Sequence, residues 1–505
     1  MVIRCRPDTL QCKMWQRLMR IRLNRTTVLM LGCAAFLVGL VVARRHVMVS
    51  GWLVLVLLLA IVPALRRRSI VAVTVVILAG LSLGVWRGAS YLHQLQPYKD
   101  LAVQKVEFDA TADIDAVYGK NSQLSFVVRD VTFTYPQTVK VPGLIKVAGF
   151  GETMVYRGDR LHVSAKLFPT RGSAQATVGY AELHKIRSAA SPIDTLRRKF
   201  AAGMQTALPE PLASFGLGLL VGQRNTLPPE ISEALLMVGL THIIAVSGYN
   251  LTILLEASRR VLGDRSKVLS TAAALALIFG FLLIAGTSAS IVRAAVISII
   301  GLSAWYYGRS VRPLLLILLA AAGTTYANPV YLWADISWYL SFLAFFGILV
   351  LGPLVTHKLY GQKQPPMVVQ IVIESLCAEV MTLPIILYIF GQMSLVSLLA
   401  NMLVVALIPL GMLLSLIAGL AGMLCGAVAG WFAWPARLLL TYMLDIVHLL
   451  SKIPHVFQQN RYLSVLDMSL CYGAVVLVIA LAAYAHKRRL RFGFTAPSQI
   501  KFDNN

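Results

Sequence analysis

The feature that most constrains this chain is a segment from residue 212 to residue 486 that is almost continuously apolar. Only short polar or Pro/Gly breaks interrupt it. Most pieces between the breaks are long enough to cross a bilayer, which takes about 20 apolar residues per helix. Because backbone polar groups in lipid must be bonded within the protein, runs of this length are expected to be helices. The segment is therefore predicted to be a bundle of membrane-spanning helices.

The composition of the whole chain agrees with this prediction. Of 505 residues, 57% are hydrophobic and 13% are charged, whereas about a quarter of the residues of a soluble protein are charged. A soluble enzyme with an ordinary solvated surface is excluded, and so is a disordered chain, which needs low hydrophobicity. The formal net charge of +24 has two explanations. Lys and Arg collect in cytoplasmic loops of membrane proteins, and a basic field also attracts a polyanionic ligand.

Three more apolar runs lie within residues 28–90, so that we predict a polytopic α-helical membrane protein with about 12 spans. We interpret the first run as an uncleaved span rather than a signal peptide. The basic segments alternate with loops that lack Lys and Arg, which places them on the cytoplasmic side. These basic segments are 1–27, 259–267, 309–312, 358–363 and 487–505. Both termini, 1–27 and 487–505, are therefore predicted to be cytoplasmic tails.

Residues 93–190 differ from the rest because they are polar and alternate short strand patterns with turns. We predict a small β-barrel outside the membrane, inserted after the third span. Its aromatic side chains are expected mainly in its core, although some could stack on bases. Residues 192–210 follow as an amphipathic helix. Its basic residues Arg197, Arg198 and Lys199 fit a membrane surface, and an ordinary linker helix is the alternative.

Polar residues inside the apolar spans are the candidate functional residues, since ionisable groups in lipid are costly and usually face a cavity or a partner. These candidates are His242, Ser247, Asn250, Arg293, Asp335, Ser341, Glu379 and Asn401. Two interpretations stay open: they line a path through the bundle, or they only pack. In the second case His242 would bond a neighbouring carbonyl, and Arg293 would pair with Asp335 or Glu379.

No nucleotide-binding motif, nucleophile elbow or metal-ligand spacing occurs in the sequence. The six cysteines form no C-x-x-C pair and no cluster with histidines. We therefore predict no catalytic residues, no metal and no cofactor. A membrane enzyme acting on lipid or cell-wall material has no motif to support it.

Four sequence elements resemble the ComEC family of competence proteins. The first runs from Gly239-Leu240-Thr241-His242 to Ser247-Gly248, and the second is SASIVRAAV around Arg293. The third is the span that carries Asp335 and Ser341, and the fourth runs from Leu383-Pro384 to Asn401. The N-terminal order of three spans and an exterior domain is also similar to that family, which implies an oligonucleotide-binding-like (OB-like) barrel for 93–190 and a competence-type domain for 212–486.

The resemblance implies a non-enzymatic inner-membrane channel that passes single-stranded DNA into the cytoplasm during natural transformation. We expect a form without the C-terminal metallo-β-lactamase-like domain of many relatives, so that a separate nuclease would degrade the other strand. Single-stranded DNA and the lipid bilayer are the expected partners, together with a DNA receptor, a cytoplasmic helicase and further copies of the chain. The alternative is a proton-coupled secondary transporter of a small solute, in which His242, Arg293, Asp335 and Glu379 form a proton relay.

Overall fold

The computed structural model describes most of the chain outside its terminal tails and the segment after Ile244. The described residues are 24–45, 47–67, 70–118, 123–170, 172–188, 192–222, 227–244, 266–285, 289–309, 312–361, 363 and 365–491. The chain divides into two compact units. The first consists of Met1–Ala201 with Ser247–Tyr339, and the second of Ala202–Val246 with Leu340–Asn505.

Three helices open the first unit: α1 (Arg25–Ala43), α2 (Gly51–Arg67) and α3 (Ile70–Gln94). Glycines bring α1 and α3 into backbone contact. A Cβ added at Gly84 would lie 2.2 Å from the carbonyl oxygen of Phe36, and one at Gly80 would lie 2.4 Å from that of Gly32. Small residues at four-residue spacing permit this approach between helices in lipid.

A β-sheet domain follows α3 and the short helix α4 (Gln96–Asp100). Its strands are β1 (Lys105–Ala112), β2 (Val117–Tyr118), β3 (Leu124–Tyr135), β4 (Val139–Val141), β5 (Ile145–Phe150), β6 (Arg160–Pro169) and β7 (Ala176–Arg187). They pair in the order β1-β6-β7-β5-β3-β2, with β4 on β3 and a further pairing of β1 with β3. Every pair is antiparallel except β5 with β7.

Side chains alternate between buried and exposed along these strands, so that one face of the sheet forms a core. The rings of Phe108 and Phe133 meet edge to face in this core, with centroids 5.7 Å apart. Burial raises the pKa of Tyr98, whose ring packs on Phe133. The prediction of a β domain in 93–190 is confirmed as a sheet domain, and the OB-like barrel stays a prediction.

Helices make up most of the remaining chain. They are α5 (Pro192–Ala207), α6 (Leu212–Val221), α7 (Pro229–Met237), α8 (Thr241–Ile244), α9 (Lys267–Ala285), α10 (Ala289–Tyr306), α11 (Pro313–Ala327), α12 (Val330–Ala334), α13 (Ile336–Phe346), α14 (Gly352–Tyr360), α15 (Met367–Phe390), α16 (Ser397–Val404), α17 (Ile408–Cys425), α18 (Ala429–Ser451) and α19 (Val465–Arg491). A π-helical turn, Gly347–Leu351, joins α13 to α14. A two-stranded pairing joins β8 (Met393–Ser394) to β9 (Phe457–Gln458).

Five helical stretches among the described residues are long and apolar enough to cross a membrane. They are Thr26–Ala43, Ala72–Gln94, Ile336–Tyr360, Val369–Phe390 and Ser397–Cys425. Several shorter apolar helices accompany them. The chain is therefore a membrane protein built mainly of helices, as predicted, and the count of about 12 spans stays a prediction.

Candidate polar site in the helical region

A left-handed turn at Gly239 ends helix α7. The amide of Gly239 donates to the carbonyl of Leu236 at 3.1 Å, and that of Leu240 donates to the carbonyl of Leu235 at 2.8 Å. This pair of hydrogen bonds is the Schellman arrangement, which needs a residue with positive φ after the helix. Gly239 supplies it with a φ of 77°. The turn then leads directly into α8.

Gly239 also lies against the start of α16 in the same unit. A Cβ added at Gly239 would lie 2.8 Å from the Cβ of Ser397 and 3.4 Å from the Cβ of Ser394. The first distance is shorter than van der Waals contact, so that a side chain here would push the turn away from α16. Gly239 thus meets two requirements at once, one of backbone conformation and one of space.

Helix α15 adds a carboxylate to this place. The hydroxyl of Ser397 donates a hydrogen bond to Oε1 of the half-buried Glu379. Asn401 lies one turn after Ser397 on α16, and residues at this spacing share a helix face. The side-chain oxygens of Asn401 and Ser394 are buried and have no hydrogen-bond partner among the described residues. We call Gly239, Ser394, Ser397, Glu379 and Asn401 the Glu379 cluster.

His242 is attached to the same turn. Its Nδ1 lies 3.2 Å from the carbonyl oxygen of Gly239, and its side chain is exposed. This hydrogen bond is the contact that the packing interpretation of His242 predicts. Its partners in the sequence motif, Ser247 and Asn250, lie outside the described residues.

Asp335 and Arg293 occupy different settings in the first unit. Oδ1 of Asp335 accepts a hydrogen bond from the amide of Trp338 at 3.2 Å, which makes Asp335 an N-cap of α13. Arg293 is 3% exposed on α10, beside Ala294 and Ala295 of a small apolar core. Ser341 on α13 is half-buried.

Comparison with known proteins identifies the helical region. Residues 219–486, more than half of the chain, match the family model described as Competence protein. The chain belongs to this competence (ComEC) family. It is similar to ComE operon protein 3 of Bacillus subtilis (strain 168), with 27% identity over 244 residues, which are 48% of this chain and 30% of that protein. The match thus spans under a third of that relative. No solved structure matches the chain.

The matched competence region contains every member of the Glu379 cluster, and sequence reasoning found only part of it. Glu379 and Asn401 were predicted as polar residues within spans, but Ser394 and Ser397 were not. Serine is common in membrane helices, and its role depends on which helix lies opposite. The available signal was the four-residue spacing of Ser397 and Asn401. No group of three His, Cys, Asp or Glu side chains within the described ranges could hold a metal ion.

Helix α5 precedes the competence region, and the sheet domain binds its basic residues. Arg197 Nη2 lies 3.1 Å from Oδ2 of Asp115, and the guanidinium of Arg198 lies 5.2 Å from the centre of the Tyr156 ring. Burial lowers the pKa of Arg157, and the nearby charge of Arg197 adds to this effect. Of the three residues predicted for a membrane surface, only Lys199 is exposed.

Proposed function

We propose that this protein is the inner-membrane component that passes single-stranded DNA into the cytoplasm during natural transformation. The observation that carries the proposal is the match of residues 219–486 to the competence family. This region includes three of the five stretches able to cross a membrane. The apolar helices would enclose the path, and energy would come from a cytoplasmic helicase or the proton gradient.

The sheet domain would engage DNA outside the membrane as an OB-like barrel. The pairings support this because β1-β6-β7-β5-β3 is a continuous order and β3 pairs again with β1. An OB-fold is a five-stranded, partly open Greek-key barrel that binds oligonucleotides. The proposal includes about 12 spans, cytoplasmic termini, and the predicted division into 28–90, 93–190, 192–210 and 212–486.

The Glu379 cluster would form part of the path through the competence region. Buried polar atoms normally have partners, and the side-chain oxygens of Ser394 and Asn401 have none among the described residues, which leaves hydrogen-bonding capacity in the Glu379 cluster. Partners outside the chain would include a DNA receptor, a separate nuclease and further copies of the protein. The chain itself would act without catalytic residues, metal or cofactor.

Separate assays of DNA entry test the proposal. We expect that deletion of the gene leaves labelled DNA entering the periplasm but abolishes its arrival in the cytoplasm, and that a plasmid copy restores it. Cytoplasmic DNA at the parental level in the deletion strain contradicts the proposal. If the deletion also abolishes entry of DNA into the periplasm, the protein acts at an earlier step.

A proton-coupled transporter of a small solute is the second candidate, and the half-buried carboxylate of Glu379 in an apolar helix favours it. A proton relay needs Glu379 to titrate, so Glu379→Gln should abolish proton-driven uptake of labelled solutes by liposomes. A DNA path needs only a polar lining, and the variant should then keep DNA uptake within a few-fold of the wild type. Glu374→Gln, on the same helix, is the matched control, since Glu374 bonds Gln370 of its own helix at 2.9 Å.

A further inference from the structure

The outer surface of strands β5, β6 and β7 carries three exposed aromatic side chains. Tyr180 is 74% exposed, Phe168 43% and Phe150 42%. The rings of Phe150 and Tyr180 lie together, with centroids 6.3 Å apart. Single exposed apolar residues are ordinary, but a paired and uncovered set on one sheet face is typical of a binding surface.

Lysines lie beside these rings. The strand register places Lys166 of β6 between Lys105 of β1 and Gly179 of β7. Like charges directly opposite each other on neighbouring strands are unfavourable. Both lysines are exposed, and neither forms an ion pair with any residue that the structure describes. An anion bound between them would relieve this repulsion.

A second row of the same face has a similar composition. Thr177 of β7 lies between Phe168 of β6 and Lys146 of β5. Thr177 and Gly179, the β7 members of the two rows, are small, so the rings and lysines rise above the surface around them. We call this surface the Tyr180 face; it consists of Lys105, Lys146, Phe150, Lys166, Phe168 and Tyr180.

The backbone of Tyr180 is unusual. Its φ is 53°, and it lies in a bulge, because the β6–β7 register shifts between the pairs of Ser164 and Lys166. Asp130 has the same φ in a similar bulge of β3. Aspartate tolerates this conformation, but for a bulky residue it is an outlier. The Tyr180 ring is exposed, so burial of the ring does not offset the free-energy cost of this backbone conformation. Backbone outliers of this kind cluster at binding sites.

We propose that the sheet domain binds single-stranded DNA on the Tyr180 face, an inference that rests on the proposed function. Bases would stack on the rings of Tyr180 and Phe150, and Lys105 and Lys166 would bind phosphates. OB-folds commonly bind oligonucleotides on the face of their second and third strands, which correspond to β3 and β5 here. The phenylalanines of β3, Phe126 and Phe133, are instead buried in the core.

Binding by the purified full-length protein in lipid nanodiscs tests the inference. The probe is a fluorescein-labelled oligothymidine of about 20 nucleotides, longer than the site of one OB-fold, followed by anisotropy at low salt. Tyr180→Asn removes the ring but suits the left-handed backbone, so the fold should persist. Its Kd should rise about tenfold, the effect of one stacked base, while Tyr180→Phe should bind like the wild type.

Three further variants separate this face from the rest of the domain. Tyr135→Asn removes a ring that is 56% exposed at the end of β3 and should leave the Kd unchanged. The double change Lys105→Gln with Lys166→Gln should reduce the log–log salt slope by about 1.4, since each phosphate on a single strand contributes about 0.7. Glu182 lies opposite Phe150 on this face, where its negative charge would repel the phosphates of DNA. Glu182→Gln should therefore tighten binding.

Each outcome bears on one proposal or on both. If the wild type binds and imports DNA while Tyr180→Asn binds within twofold of it, the inference is wrong and the proposed function stands. An equal loss in Tyr135→Asn would place the DNA on β3 and also refute the inference. If Tyr180→Asn lowers uptake in cells but not binding in vitro, the face binds another protein. A wild type that neither binds single strands nor imports DNA contradicts both proposals.

Discussion

Gly239 is a position of the competence region where a side chain conflicts with both backbone conformation and space. Its φ of 77° favours glycine, and a Cβ would lie 2.8 Å from that of Ser397. Gly239→Ala therefore combines backbone strain with overpacking, which together should cost about 2–4 kcal/mol. We expect a lower thermal midpoint in detergent and a drop in DNA uptake that follows membrane abundance.

The control for this prediction is Gly280→Ala in α9. Apart from the adjacent backbone of α9, no atom of the described residues lies within 4 Å of the position of its added Cβ, and its φ is not positive. Alanine is favoured over glycine in a helix by about 1 kcal/mol, so this variant should be neutral or slightly stabilising. Equal effects of the two changes would contradict the role assigned to Gly239.

Residue types alone gave part of the candidate site. Glu379 and Asn401 could be predicted because a carboxylate and an amide are rare in apolar spans. The hydrogen bond from Ser397 to Glu379 joins α16 to α15. Nothing in the sequence around Ser397 specifies that α15 lies opposite it. Asp335 was predicted for the same reason as Glu379. In the structure its carboxylate accepts a hydrogen bond from the amide of Trp338 and caps α13. The Pro and Gly breaks used to divide the apolar region into spans do not mark such a cap.

Helices α1 and α3 depend on the glycines that join them. A Cβ at Gly84 would lie 2.2 Å from a backbone oxygen, which cannot move as a side chain can. Gly84→Ala should therefore separate the helices, at a cost of about 1–3 kcal/mol, and should increase proteolysis of the N-terminal spans in membranes. Gly301→Ala, on α10, has open space around its Cβ and should leave proteolysis unchanged.

The alternating pattern that predicts strands within 93–190 fails in the middle of β7, at the bulge of Tyr180. Val178 and Ala181 are both buried although they are three residues apart, so the alternation with period two is broken at this point. Patterns of period two identify regular strands and miss those with an extra residue. The same bulge exposes the ring on which the proposed DNA contact depends.

At the scale of the whole molecule, the apolar pattern predicted a helical membrane protein and the polar interval predicted a β domain. Span number and orientation depend on weaker signals. Several apolar helices, such as Pro313–Ala327, are shorter than the roughly 20 residues needed to cross a bilayer upright. A helix of this length can span only where the bilayer thins or the flanking residues adapt, so length and composition leave the count open.

Orientation can be tested by labelling with an impermeant maleimide. The six native cysteines would first be replaced, because Cys425 and Cys471 are exposed. The basic segments predict that the sheet domain lies outside and the C-terminal tail inside. A cysteine at Ser173, an exposed residue before β7, should therefore react in intact spheroplasts. A cysteine at Ser498 should react only after permeabilisation. The reverse result would place the sheet domain in the cytoplasm, where it could not receive incoming DNA, and the channel proposal would fail with it.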